Sequence, residues 1–259
     1  MSAPRDPGLK PDGMIKAINR FDPVRARSFE EAERHYLEIH HAFARAMHRR
    51  SDAVLQYVPN RALAQYDVNG GFDQEPDAWR YVFHLRRDDL PDAQSFIPEA
   101  DRQAIWADHT RCLRNIRALE VAPEVLADKC TGQMVFVKYV FEYHFTADVP
   151  AATAEAAYRG AHLPRLRALL DDAFGFRKCI TNKALRQAVT APLAEEGQIL
   201  TGDYVPPESV YRIEEYWFDN VAWGADFFGD ERVRALLRAP ELGRIEGYLV
   251  EEKCGVDKF

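Results

Sequence analysis

Tyr36, His40 and Asn60 recur as Tyr158, His162 and Asn182, each 122 residues further on. One constant offset over three positions means that the segment is repeated without insertion. Residues 16–63 and 138–185 align without a gap. They share Lys16/Lys138, Ala32/Ala154, Glu33/Glu155, Arg45/Arg167, Ala46/Ala168, Ala62/Ala184 and Leu63/Leu185 besides the three pairs above, about one position in five. The chain reads as a duplicated unit, and few folds accommodate that with these elements.

The unit begins with a strand over 14–21, ended by Asp22-Pro23. Ser28 stands three residues before Glu31, the spacing of a capping box, so a helix is predicted over 29–50. Its apolar stripe is Phe29, Ala32, Tyr36, His40, Phe43 and Met47. A strand at 54–58, a loop over 64–78, a strand at 79–85, a helix over 98–115 and a short strand at 118–121 follow. The second copy repeats the order. It has a strand over 134–145, a helix over 150–172 with Tyr158, His162, Leu166 and Leu169 on one face, and a strand at 176–181. A long loop over 186–209, a strand at 210–218, two short helical pieces and a last strand at 247–251 complete it. Residues 1–13 read as a flexible tail, 14–121 as the first repeat, 122–133 as a linker and 134–259 as the second repeat. The order in each repeat is β-α-β-β-α-β.

Such a unit, with both helices on one face of its sheet, leaves the other face apolar and uncovered. Two units can close face to face into a barrel, and duplication supplies the partner within one chain. The predicted fold class is α+β: two ferredoxin-like repeats forming an intramolecular barrel with a pocket between the sheets. Tyr57, Tyr81, Phe83, Tyr139, Phe141, Tyr143, Tyr211, Tyr216 and Trp217 lie on the predicted strands. They serve to line such a space or simply to fill it.

Composition narrows the function. The net charge of −7 argues against nucleic acid and against an anionic membrane surface. Four scattered cysteines without a C-x-x-C pair fit a reducing compartment, so the expected location is cytoplasmic. No apolar run approaches the roughly 20 residues of a membrane helix. There is no glycine-rich phosphate loop, no G-x-S-x-G elbow and no H-x-x-x-H metal spacing.

The helix motif Tyr158-Arg159-Gly160-Ala161-His162-Leu163-Pro164 resembles the Y/W-x-x-x-H-x-P pattern of the EthD family, in the dimeric α+β barrel superfamily. Tyr36-Leu37-Glu38-Ile39-His40 matches without the proline, and Glu215-Tyr216-Trp217-Phe218-Asp219 resembles the family's third strand. The resemblance covers nearly all of the chain beyond residue 13. It implies a tandem member, with cofactor-free cyclases, dehydratases, isomerases and monooxygenases, and some haem proteins, among its relatives. It also implies a homodimer as one further assembly.

Four residues are candidates for catalysis: His162, His144, Glu142 and His40. A histidine on the inner edge of a helix is suited to proton transfer, and equally to a core position with one satisfied hydrogen bond. Asn60 and Asn182, 20 residues after each histidine, are placed as partners that would fix its tautomer; Tyr36 and Tyr158 precede it by one turn. On the first strand of the second copy, Lys138, Val140, Glu142 and His144 share one face by the period of two. The first copy has Lys16, Ile18, Arg20 and Asp22 there, so Glu142 and His144 break the symmetry, with His162 as their expected neighbour. Either one half keeps the chemistry or the strand end is exposed. On the third strands His84 is read in register with Glu215, with Glu214 and Arg212 as alternatives. His35, His41, His48 and His109 are read as surface residues. The expected substrate contacts are Tyr158, Asn182, Tyr36, Asn60, Lys138, His84, Glu215 and Trp217.

The expected function is a cofactor-independent enzyme of lyase, dehydratase, cyclase or isomerase type. It would act on an apolar, aromatic or polyketide-like small molecule, under a lid formed by 186–209, with no metal and no cofactor. The rivals are an EthD-type or haem-dependent monooxygenase and a non-catalytic ligand-binding or accessory protein.

Overall fold

The computed structural model describes residues 13–67, 69, 71–89, 98–130, 136–193 and 196–258. Strand β1 (Met14–Pro23) leads into α1 (Phe29–His35), a π-helical turn (Tyr36–His40) and α2 (His41–Arg50). Ser28 caps α1 reciprocally with Glu31, as the spacing predicts. Then come β2 (Val54–Asp67), β3 (Gly71–Gln74), β4 (Arg80–Arg87), α3 (Glu99–Cys112) and β5 (Leu113–Asp128). The C-terminal half has β6 (Val137–His144), α4 (Ala151–Ala157), a second π-turn (Tyr158–His162), α5 (Leu163–Asp171), β7 (Phe176–Pro192) and β8 (Gln198–Val205). It ends with β9 (Val210–Phe218), α6 (Val221–Gly229), α7 (Glu231–Leu237), β10 (Arg244–Glu252) and β11 (Val256–Asp257).

The strands run β5-β1-β4-β2 in one half and β10-β6-β9-β7 in the other. Antiparallel pairing of β5 with β7 and of β2 with β10 joins the halves at both edges. The result is a closed, eight-stranded antiparallel barrel, so its long strands leave no open edge in the ring. Helices pack outside, over aromatic clusters: Phe21, Tyr36, Trp79, Val82 and Ile105 in the first half, and Tyr139, Phe141, Tyr158, Tyr216 and Phe228 in the second.

Inside the barrel, Ile18, Tyr81, Phe83, Leu119, Val140, Ile213 and Tyr248 from both halves form one buried layer. The middle of the barrel is therefore packed core, and the pocket expected between the sheets does not occupy it. Open space occurs instead at one mouth of the barrel and on its helix side.

Several expected boundaries move, each for a local reason. Pro123 marks a linker in the sequence, yet β5 runs on to Asp128. The ladder to β1 ends at Val121, so the missing N–H of Pro123 is not needed there, while β7 pairs along the other edge. The segment 186–209 is a β-hairpin of β7 and β8, closed by the Leu193 N–H to Gly197 O bond of 2.7 Å, with Pro192 ending β7 and Gly202 within β8. β2 continues to Asp67 and pairs with the short β3 within the expected 64–78 loop. The expected tail, apart from Gly13, lies outside the described residues, as do Met134 and Val135 of the strand expected over 134–145.

Gly224 on α6 shows how closely the outer helices sit. A Cβ there would stand 2.3 Å from the ring of Tyr139, whose hydroxyl donates to the Val221 carbonyl at 2.9 Å. Gly224→Ala is expected to cost about 1–3 kcal/mol by overpacking, read as a lower midpoint in urea unfolding.

Candidate active site

Both Tyr-x-x-x-His motifs form π-turns. The His41 N–H bonds to Tyr36 O and the Leu163 N–H to Tyr158 O, an i to i+5 pattern. Tyrosine and histidine rings then lie 5.1 Å apart in the first turn and 5.0 Å apart in the second. The extra residue moves the buried stripe on by one position. Ala44, Met47 and His48 are buried where Phe43 and Met47 were expected, and Leu170 replaces Leu169.

On the N-terminal half, α1–α3 and the sheet enclose a cavity of about 100 Å³. Its walls include Tyr36, His40, His48, Tyr57, His84 and His109 among apolar side chains. His40 Nδ1 lies 2.7 Å from Asp108 Oδ2, and His35 Nε2 lies 2.7 Å from Asp108 Oδ1. Burial works to raise the Asp108 carboxyl, but the hydrogen bonds and charges of His40 and His35 more than reverse it, leaving it at about 2. A carboxylate at Nδ1 accepts the proton of that nitrogen, which leaves Nε2 as the nitrogen available to exchange a proton with a bound molecule. His109 repeats the logic with a backbone group, its Nδ1 donating to the Gln198 carbonyl of β8 at 3.0 Å. Burial, and then His40, pushes His109 down to about 3. Burial, and then Arg86, does the same to His84, whose Nδ1 lies 3.2 Å from Asn19 Nδ2. Burial also drives His48 well below its ordinary value and Tyr57 well above. The cavity thus presents neutral imidazoles at His48, His84 and His109 and neutral phenols at Tyr36 and Tyr57 to whatever enters it.

The lid has a counterpart in the β7–β8 hairpin, which reaches across from the other half. Leu200 lines the cavity, and Gln198 Oε1 accepts the Ile116 N–H at 2.7 Å. Gly197 permits this approach, because a Cβ would meet Thr110 Cα at 2.6 Å.

The matching space in the C-terminal half is filled. Glu214, fully buried, accepts hydroxyl bonds from Tyr143, Tyr158 and Tyr216. His162 Nε2 lies 3.1 Å from the Tyr143 hydroxyl and 3.8 Å from Glu214. Burial lowers His162, against the pull of Glu214. Arg212 lies 4.2 Å over the Tyr158 ring, as Arg80 lies 3.9 Å over Tyr36.

The period-two reading of β6 places its residues correctly but separates the expected partners. Glu142 and His144 face the barrel interior, while His162 packs with Tyr143 on the helix side of the same sheet. Glu142 pairs with Arg117 and with Arg20 at 2.9 Å, and His144 Nε2 lies 3.3 Å from both Glu142 and Glu246. These residues form an ion network between the halves. Burial would raise Glu142, but Arg117 and its other partners hold it well below the usual range; burial lowers His144.

The expected His–Asn pairs do not form. Asn182 Nδ2 donates to the Ile213 carbonyl at 3.1 Å and to Glu215 at 2.9 Å inside the barrel, and Asn60 Nδ2 donates to the Val58 carbonyl at 3.0 Å. The register of His84 with Glu215 is off by one. Ala17 pairs with His84, and Tyr139, its counterpart 122 residues on, pairs with Tyr216. One residue of slip exchanges the faces, so His84 lies on the helix side while Glu215 lies in the barrel between Lys16 and Lys138. His35 and His48, expected on the surface, are buried, and His109 is covered by the hairpin. Asp108 belongs to no motif in the sequence.

No protein-family model matches the sequence, and no curated protein is similar to it. Among solved structures, an anthrone oxidase-like protein is similar over 96% of each chain with 14% identity and a TM-score of 0.58. A monooxygenase-like protein from Fusobacterium nucleatum is similar over 94% of this chain and 96% of its own, with 10% identity and a TM-score of 0.51. A chlorite dismutase-like protein reaches 0.45 at 9% identity over 92% and 94%, too loose a likeness to weigh. Together with the closed barrel, the first two show that this chain has the dimeric α+β barrel fold.

Proposed function

We propose that this protein is a small-molecule enzyme built from two ferredoxin-like repeats of EthD type, with its working site in the N-terminal half. The duplication is supported by the matched strand orders and the two π-turns at one offset. The observation that carries the activity is His40, held at Nδ1 by Asp108 and lining an apolar cavity. His40 acts there as general base toward a small, apolar, aromatic substrate, with Tyr36, Tyr57 and His109 as the polar groups that orient it. The cavity is somewhat below the roughly 150 Å³ of an apolar cavity that admits benzene, so one ring of the substrate enters and the rest extends past the hairpin. The matching groups His162, Tyr158 and Glu214 hold the second half together.

A proton taken from carbon serves a lyase, dehydratase, cyclase or isomerase without a cofactor. It equally serves a monooxygenase in which the carbanion meets oxygen, the reading favoured by the names of the similar structures. Haem does not fit the His40 cavity or its counterpart in the second half. The first cavity is far smaller than a tetrapyrrole, and Glu214 with its tyrosines fills the second.

The test incubates the protein with anthrone-type and phenolic compounds in deuterated water. Deuterium incorporation at an acidic carbon, lost in His40→Ala, is the expected result; oxygen uptake at the same rate assigns the monooxygenase branch. No His40-dependent exchange with any compound would overturn the assignment.

A further inference from the structure

The open mouth of the barrel holds a second cleft, of about 960 Å³, within the size range of small-molecule sites. At its inner end Lys16 and Lys138 both bind Glu215, Lys138 at 2.8 Å, and all three side chains are at most 7% exposed. Asn182 Nδ2 also donates to Glu215, at 2.9 Å. Burial would raise Glu215, but Lys138 and Lys16 bring it to about 2, so it is a carboxylate at neutral pH. Lys178 lies 3.6 Å from Asp128 and 5.5 Å from the Trp217 ring. Two lysines thus share one carboxylate, burial holding Lys16 below its ordinary value against the pull of Glu215, while Lys178 has its own acid. Burying a cation with half a counter-ion costs free energy that an apolar pair would not.

The walls beside this charge are flat and apolar. Lys138 Nζ stands 3.6 Å from the centroid of the Phe83 ring and 4.9 Å from that of Trp217. Trp217 is partly exposed and lines the cleft, with Val250 opposite in the lining. At the rim Lys253 pairs with Glu251 at 2.7 Å, and Arg49, Glu252 and Asp257 are exposed, where water and salt screen them. The excess positive charge is therefore felt at the inner, dry end.

We propose that the barrel mouth binds a small organic monoanion, its carboxylate head on Lys16 and Lys138 and its flat apolar body against Trp217 and Phe83. With two lysines on one carboxylate, a monoanion matches the site better than a phosphate dianion. The cleft shares Tyr57 and His84 with the lining of the His40 cavity, but Lys16, Lys138 and Trp217 line only the cleft, so the proposal does not depend on what happens at His40.

Calorimetric titration of the full-length protein with 2-naphthoate, 2-naphthamide and inorganic phosphate tests it. Naphthoate is expected to bind at least tenfold tighter than its neutral amide, and phosphate more weakly than naphthoate. Lys138→Met should abolish the preference for acid over amide, Trp217→Leu should weaken both, and His40→Ala should change neither. Should Lys138→Met fail to fold, the wild-type ratio of acid to amide decides alone. Equal affinities for the two, no saturation by naphthoate in the millimolar range, or tighter binding of phosphate would overturn the proposal.

Discussion

His40→Ala and Asp108→Asn are both expected to lower kcat/KM by about 10²–10⁴, the usual contribution of a positioned general base. The alanine variant removes the base. The asparagine variant keeps the shape but places an amide where the carboxylate accepts the His40 Nδ1 proton, so Nε2 no longer reliably carries the lone pair. The loss in Asp108→Asn should fall on kcat, with KM little changed, because Asp108 acts through His40. His162→Ala provides the contrast. It opens a packed, dry site beside Glu214 and should lower Tm while leaving the turnover of the folded fraction within a few-fold. Single-turnover kinetics and thermal melts on the three variants separate these outcomes. Full activity in Asp108→Asn would reduce the carboxylate to a packing role.

The second large effect concerns stability. Glu142 is fully buried; it binds Arg20 and Arg117 across the seam of the two halves and His144 on its own strand. Glu142→Ala leaves the Arg117 and Arg20 guanidiniums short of a counter-ion and is expected to cost about 3–5 kcal/mol. That corresponds to a fall in Tm of roughly 10 °C for a chain of this size. The pH dependence has a definite sign. Glu142 and Glu215 lie below their ordinary 4.5 when folded, so the unfolded chain binds their protons first. Their contribution is complete above 4.5 and fades as pH falls through the folded values, about 2 for Glu215. His84 and His109, each at about 3 against an ordinary 6.5, act in the same direction but from higher pH. Acid should thus weaken the fold in two stages: from about pH 6.5 as buried histidines are offered protons, and again below 4.5. Urea midpoints measured from pH 8 to 3 check this. In Glu142→Ala the second stage should be shallower, and an unchanged slope below 4.5 would show that the network does not govern acid stability.

The sequence carried the barrel because its periods are unambiguous. Alternation along β6 separates Lys138, Val140, Glu142 and His144 from Tyr139, Phe141 and Tyr143, and the offset of 122 transfers that division to β1. It carried the helices and the capping box for the same reason. The site was less legible, because a pattern tells which face a residue occupies and not what stands beyond that face. Glu142 and His144 share the inner face, yet their neighbours are arginines from other strands, separated from them by dozens of residues. His109 reads as exposed on α3 until a hairpin from the other half covers it, and no local signal announces that contact. Asp108 is one acid among 41 acidic residues, and only its position between two histidines singles it out. The slip at His84 came from the unequal loops before the third strands, where a single residue changes the face.

Each π-turn amounts to one residue inserted into an otherwise regular helix. The gapless offset across both helices means that both carry this insertion at the same place; a regular helix in either half would have shown as a one-residue gap between Tyr and His. Deleting one residue, for instance Glu38 between Tyr36 and His40, would restore the ordinary helical turn with the flanking segments facing as before. Tyr36 and His40 would then stand three residues apart, still on one face but with their rings in a different relation. The extra residue therefore sets how the tyrosine and histidine rings meet, not the direction of the helix.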